Sequence, residues 1–236
     1  MPSEESELRP ALRRATRVLI ALPSDLYRHG MRSALDTHDV DVVGQAGTGA
    51  DALELAEELA PDVLVIEASL PDMSGVELTS RVLARLPSCR VLVFSEPLDE
   101  GTLLDALSAG VSGYVAKGSS VEELLQGIRL ARAGGVPLPR RMAAMLAERI
   151  REMPRTSRAR EDSAARLSDR ELDVLRLLCT GMDNARIAAV LTVSPTTVKK
   201  HVSRILAKLK VQNRVQAAVY AVRMGLADPS SRDDGR

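Results

Sequence analysis

A chain of 236 residues is long enough for two modest domains, and its balance of 32 Lys/Arg against 32 Asp/Glu excludes a uniformly basic or acidic binding protein. Aromatic residues are 2% of the chain, so Leu, Val, Ala and Ile must fill the cores, and stacking platforms for single-stranded nucleic acid are excluded. The two cysteines, Cys89 and Cys179, belong to no CxxC or Cys/His cluster, which excludes a disulfide framework and a zinc motif and points to a reduced, cytoplasmic chain.

The neutral total hides a separation along the chain. Residues 17–135 carry 9 Lys/Arg and 18 Asp/Glu, a net of −9, whereas residues 166–226 carry 11 and 4, a net of +7. An acidic regulatory part joined to a part that meets a polyanion is the arrangement this implies. The longest apolar runs fall far short of the ~20 residues that cross a bilayer, so no membrane is expected. Residues 1–16 mix acids and bases without an apolar stretch and are expected as a flexible leader, not a secretory signal.

From residue 17, short apolar runs alternate with amphipathic stretches. The runs are "RVLIAL" (17–22), "VDVVGQA" (40–46), "VLVIE" (63–67), "VLVFS" (91–95) and "GYVAK" (113–117). Continuous apolar runs of this length suit parallel strands covered on both faces. Between them, "TGADALELAEELAPD" places Leu53, Ala56 and Leu59 at helical spacing and ends before Pro61. "SSVEELLQGIRLARAGG" offers Ser120 as N-cap with Glu123 three residues on, and stops at Gly134 and Gly135. Five strands each followed by a helix predict an α/β doubly wound parallel five-stranded domain over 17–135, with its functional crevice at the carboxyl ends of the strands. Glu67, Ser95 and Lys117 all lie at those ends.

Residues 136–165 read as a linker. Met142, Met145, Leu146 and Ile150 give 139–153 one apolar side, and "PRTSRAREDSAAR" is polar and charged. From 166 to 226 the pattern is wholly helical and predicts an all-α four-helix domain, followed by a tail over 227–236. Ser168 and Glu171 form a capping box, a short helix follows Asn184, Ser194 and Pro195 open a third helix, and Asn213 caps a fourth.

The third helix carries the strongest signal. Val198, Val202, Ile205 and Leu209 recur at three- and four-residue steps and face the core, leaving Thr196, Lys199, Lys200, Ser203, Arg204 and Lys208 on the other side. A short helix, a tight turn and a helix with an exposed basic face make a helix-turn-helix, whose second helix lies in the major groove. "LSDRELDVLRLLCTGMDNARIAAVLTVSPTTVKKHVSRILAKLKVQNRVQAAVYAVRMGL" resembles the LuxR-type domain of NarL/FixJ response regulators over nearly its whole length. The resemblance implies that Lys199, Lys200 and Ser203 approach base edges and that Thr196, Thr197, Arg204 and Lys208 approach phosphates. It also makes the last helix, from Arg214 to Met224, a dimerising element, and double-stranded promoter DNA with an inverted repeat the partner. The dimer would be a homodimer or a heterodimer with a related regulator.

Residues 17 to about 135 resemble the receiver domain of the same family. Ser95, Lys117 and Tyr114, the switch-aromatic position, fit its pattern, as does "LPDMSG" after Glu67. Two features depart from it. Leu22 and Pro23 stand where the family places a Mg²⁺-holding acidic pair, and Glu67 stands where it places the phosphate-accepting aspartate. Three carboxylates and a lysine carry about −2, which a hard divalent cation offsets, whereas Glu67 and Lys117 sum to about zero. Without the metal, phosphoryl transfer loses its template and charge stabilisation, and the longer Glu side chain shifts the carboxylate by roughly 1.5 Å. Asp25 reads as an N-cap beside Ser24, and Glu67 as the ion-pair partner of Lys117 with a hydrogen bond to Ser95.

The expectation is therefore an atypical response regulator that binds DNA without aspartate phosphorylation and needs no metal or cofactor. Two alternatives remain at this point: a pocket that senses a small molecule or a partner regulator, and a protein that acts mainly by sequestering another regulator. His29, His38 and His201 lack motif context and no Gly-rich phosphate loop appears, so no catalytic residue is assigned and an enzyme is not expected.

Overall fold

In the computed structural model, the described residues are 14–36, 39–96, 98–139, 141, 142, 145, 148, 167–211 and 213–227. Parallel strands β1 (Thr16–Ala21), β2 (Val40–Ala46), β3 (Val63–Ile66), β4 (Arg90–Ser95) and β5 (Gly113–Ala116) form one sheet in the order β2-β1-β3-β4-β5. Helices α1 (Asp25–Leu35), α2 (Gly49–Leu59), α3 (Gly75–Arg85), α4 (Glu100–Ser108) and α5 (Val121–Arg132) connect and follow the strands. The strand order reverses at β1, so β1 and β3 deliver the chain to a shared crevice.

The strands are apolar on both faces because both faces are covered. Val18, Ile20, Val65, Leu92 and Phe94 pack against Met31 and Leu35 of α1 and Leu124 and Ile128 of α5. Leu19, Leu64, Ile66, Val91 and Val93 pack against Ala52 and Ala56 of α2, Leu78 and Val82 of α3, and Leu103 and Leu107 of α4. Helix starts follow local chemistry. Ser24, Thr48, Ser74, Asp99 and Ser120 each accept a backbone N–H of the first turn, and Ser120 with Glu123 completes a reciprocal capping box. The cap of α1 is Ser24 alone. Asp25 is the first helical residue and instead pairs with Arg28.

The beginning of the expected linker belongs structurally to the first domain. Tyr114 N–H donates to Pro137 O at 2.7 Å, and Val136 and Leu138 pack on the same core, so 136–138 covers the edge strand β5. Most of the helix expected over 139–153 lies outside the described residues, as do most of the leader and the tail. Met142 is described and is buried against the first domain.

The second domain comprises α6 (Asp169–Cys179), α7 (Asn184–Leu191), α8 (Pro195–Leu209) and α9 (Arg214–Arg223). Its core joins Val174, Leu175 and Leu178 to Ile187, Val198, Ile205, Leu209, Ala217 and Ala221. Asp183 caps α7, which starts at Asn184, and Thr192 in the left-handed region (φ 53°) turns the chain into α8. Ser194 caps α8, with Pro195 at its first position.

Candidate functional site: receiver pocket and recognition helix

At the carboxyl end of β3, Glu67 leaves the sheet toward β5. Lys117 Nζ donates to Glu67 Oε1 at 2.5 Å, with both side chains largely buried at 15% and 19% exposure. The ammonium also lies 5.0 Å from the centre of the Tyr27 ring, which meets Phe94 edge-on at 6.2 Å. Ser95 does not bond Glu67, contrary to the sequence expectation. Its hydroxyl donates to Glu96 O at 2.7 Å. Tyr114 is turned inward and shares its O–H between Ser95 O at 2.6 Å and Glu96 O at 2.5 Å. Burial raises its phenol above the ordinary value, and the bond to Ser95 only partly opposes this.

Leu22 and Pro23 shape the pocket through their backbone carbonyls. The Leu22 side chain is fully buried in the core beside Phe94 and Leu124, so its carbonyl is what faces the pocket. Arg28, one turn into α1, donates to Leu22 O and, at 2.9 Å, to Pro23 O, and pairs with Asp25. Gly47 permits this. A Cβ there would stand 3.1 Å from Arg28 Nη1. The pocket thus holds Glu67, Lys117 and Arg28, with Asp25 at its 80%-exposed rim. With Glu67 bonded to Lys117, Asp25 paired with Arg28 and a guanidinium on the Leu22 and Pro23 carbonyls, the pocket is a poor oxygen-donor set for Mg²⁺. Among the described residues, no cluster of three or more His, Cys, Asp or Glu side chains could hold a metal.

The loop after Glu67 is tied down on both sides. Asp72 accepts from Gly49 N at 2.7 Å and Ala50 N at 2.8 Å, capping α2, and those N–H groups hold its carboxyl below the ordinary range. Gly75 N–H donates to Ala68 O at 2.8 Å, and a Cβ at Gly75 would stand 2.7 Å from Glu67 O. Glycine is required there by close approach.

On α8, Thr196, Lys199, Lys200, Ser203, Arg204 and Lys208 are exposed, Thr197 and His201 are half-buried, and Val198, Ile205 and Leu209 are buried. Two of these are partly committed elsewhere. Thr197 Oγ1 lies 2.9 Å from the Ser194 hydroxyl at the cap. Lys208 Nζ donates to Glu171 Oε2 at 2.6 Å, and Glu171 is buried beneath α8. Burial would raise the Glu171 carboxyl, but bonds from Lys208 and Ser168 outweigh it and hold the carboxyl below the ordinary value. Burial pushes the thiols of Cys89 and Cys179 up to about 12, so neither is a nucleophile at neutral pH.

The sequence did not disclose how the two domains meet. Asn213 Oδ1 caps α9 through Gln216 N, while its Nδ2 donates across the seam to Leu107 O at 2.8 Å. Gln216 Nε2 reaches Ser108 O at 2.6 Å, and Arg214 donates to Gly134 O and Met182 O. Val215 is buried in the first domain's core and Val219 packs on it, so the face of α9 expected to dimerise lies against α4. Lys199, Val202, Ser203 and Leu206 of α8 face Arg90, Val111 and Ser112 across a cavity.

A sheet with a phosphotransfer-type crevice joined to a four-helix unit with a basic recognition helix defines a response regulator. The response regulator receiver domain family matches residues 18–129, and the bacterial regulatory proteins of the luxR family match residues 165–221. The transcriptional regulatory protein LnrK of Bacillus subtilis (strain 168) is 33% identical over 216 residues, covering 89% of this chain and 98% of that protein. The DNA-binding transcriptional activator DevR/DosR of Mycobacterium tuberculosis is 35% identical over 214 residues, covering 90% and 97%. A LuxR-family two-component response regulator from Aurantimonas sp. SI85-9A1 aligns with a TM-score of 0.55 at 29% identity, over 58% of this chain and 99% of that one. The chain belongs to the LuxR family of response regulators, which are DNA-binding transcriptional regulators.

Proposed function

We propose that this regulator binds promoter DNA as a dimer without phosphorylation of its receiver. The observation that carries the proposal is the pocket, where Lys117 satisfies Glu67 while Arg28 satisfies the carbonyls of Leu22 and Pro23. Transfer of a phosphoryl group needs a metal to bridge and neutralise the incoming oxygens, and an aspartate at the acceptor position. Here a fixed guanidinium takes the cation's side of the pocket, and the longer Glu67 is bound to Lys117. The same packing leaves little support for a small molecule as the input, because Arg28 occupies the polar side and Leu22 is committed to the core.

In the proposed DNA complex, Lys199, Lys200 and Ser203 read base edges, while Thr196, Thr197, Arg204 and Lys208 hold phosphates. The recognition helices of two subunits fall about 34 Å apart on an inverted repeat. The partner is a second copy or a related regulator, and the setting is the cytoplasm. The domain seam is the control point. A duplex that takes α8 into its major groove must displace Arg90, Val111 and Ser112, and dimerisation through α9 must free Val215 and Val219 from α4. Activity is then governed by how often the seam opens.

A band-shift titration on a cognate promoter tests the DNA assignment. Lys200→Ala is expected to weaken binding by roughly tenfold, within the ~1–3 kcal/mol of a good base contact. Normal binding by both Lys199→Ala and Lys200→Ala would overturn it.

A further inference from the structure

The seam between the domains is electrostatically wrong for a simple closed contact. The cavity of about 50 Å³ between them is lined by Arg90 from the receiver and by Lys199 and Arg214 from the helical domain, with Ser112, Asn184, Asn213 and Ser203 beside them. Among the described residues, no carboxylate lines it. Among the described residues, neither the Arg90 guanidinium nor the Lys199 ammonium has a hydrogen-bond or ion-pair partner. Arg214 bonds the carbonyls of Gly134 and Met182, and the Asp183 carboxylate offsets its charge only in part. A domain that is net −9 therefore turns an arginine toward the basic face of its own recognition helix. Bare cations brought together in a half-buried cleft repel, and burial strengthens the repulsion.

A small anion resolves this arrangement. We infer that the seam is a binding site for a small inorganic oxyanion of the phosphate or sulfate type, which bridges Arg90 to Lys199 and Arg214 and holds the domains closed. The volume is roughly four times what one water requires, enough for a tetrahedral anion but not for a nucleotide. Arginine forks and a lysine are the donors that suit its oxygens. The N-terminus of α9, at Arg214, also meets the cavity and adds its positive dipole end, whereas that of α7 is already capped by the Asp183 carboxylate. Asn184 has a buried Oδ1 without a hydrogen-bond partner, and a half-turn of its amide presents the NH₂ in that place. Burial, and then Arg90, lower Arg214 to about 10 against a smaller opposing effect of Asp183, in keeping with two cations confined with too little counter-charge.

The inference needs no DNA to be tested, so its failure is distinguishable from failure of the DNA-binding reading. The full chain is titrated with inorganic phosphate at constant ionic strength, with chloride as the balancing ion, by calorimetry and thermal unfolding. Saturable one-to-one binding with a rise in Tm is expected. Arg90→Gln should weaken it at least tenfold, whereas Lys200→Ala, on the DNA face outside the cavity, should leave it intact. If Arg90→Gln does not fold, Ser112→Glu places a carboxylate in the cavity and should abolish binding by another route. Phosphate should also weaken duplex binding several-fold beyond the ionic-strength effect in the natural chain, and not in the cavity variant. No saturable binding, an adventitious ion whose affinity ignores Arg90 and Ser112, or loss of binding in Lys200→Ala would each overturn the inference.

Discussion

Replacing Glu67 by alanine removes one member of a pair whose other member cannot leave. Lys117 stays at 15% exposure with its ammonium on the Tyr27 ring, 5.0 Å from the centre, and no carboxylate. Breaking a fully buried pair from one side costs ~3–5 kcal/mol, and the residual exposure and the ring lower this to about 2 kcal/mol. For a unit of this size, about 2 kcal/mol corresponds to a fall of roughly 8 °C in the receiver transition. Ser95→Ala loses a single neutral hydrogen bond to Glu96 O, at 2.7 Å. That loss is about 1 kcal/mol and roughly half the shift. Replacing both partners, Glu67→Leu with Lys117→Met, should recover most of the deficit, because the uncompensated charge is gone. Scanning calorimetry of the full chain reads all of these. Equal shifts for Glu67→Ala and Ser95→Ala, or a double variant as low as the sum of its singles, would contradict a paired role for Glu67.

Other perturbations follow from single contacts. Asn213→Ser keeps an N-cap for α9 but removes the bond to Leu107 O, so losing about 1 kcal/mol of closure should raise DNA affinity roughly fivefold, and unchanged affinity would contradict control at the seam. Gly75→Ala forces a Cβ against Glu67 O, and urea unfolding should show a loss of ~1–3 kcal/mol; a neutral result would mean the loop relaxes freely. The Glu171 carboxyl is held below its ordinary 4.5, so the stability it contributes is full above that pH and is lost as pH falls through the lower folded value. Glu171→Gln should therefore flatten the acid limb of the helical domain's stability profile, and an unaltered limb would refute the assignment.

Much of the architecture is legible in the chain because the physics is local. Apolar runs long enough for a strand but not a helix, hydroxyl caps such as Ser74, Ser120 and Ser168, and the Pro195 start of α8 each fix an element from its own residues. Glu67 and Lys117 were readable as neighbours because both follow strands of one parallel sheet. Arg28 was not. Its function depends on a side chain reaching back over the start of α1 to two carbonyls, and nothing in "SDLYRHG" distinguishes that from a solvated arginine. The part Leu22 plays was hidden for a related reason, since sequence gives its apolar type but not that its side chain enters the core while its carbonyl faces the pocket. The seam was invisible because it depends on the packing of two domains. Asn213 reads as a cap, and only the packed structure gives its amide nitrogen a second partner at Leu107. Lys208, grouped with the phosphate contacts by the family resemblance, sits over a buried Glu171 that is assigned by its own motif to a capping box.

Whether the receiver works without phosphate is tested by the promoter affinity of the full chain with and without a small-molecule phosphodonor and Mg²⁺. Superimposable binding curves are predicted, because Arg28 holds the Leu22 and Pro23 carbonyls and Glu67 is bound to Lys117. A large gain in affinity on adding both would contradict the account and show that Glu67 or Asp25 takes part in phosphoryl chemistry.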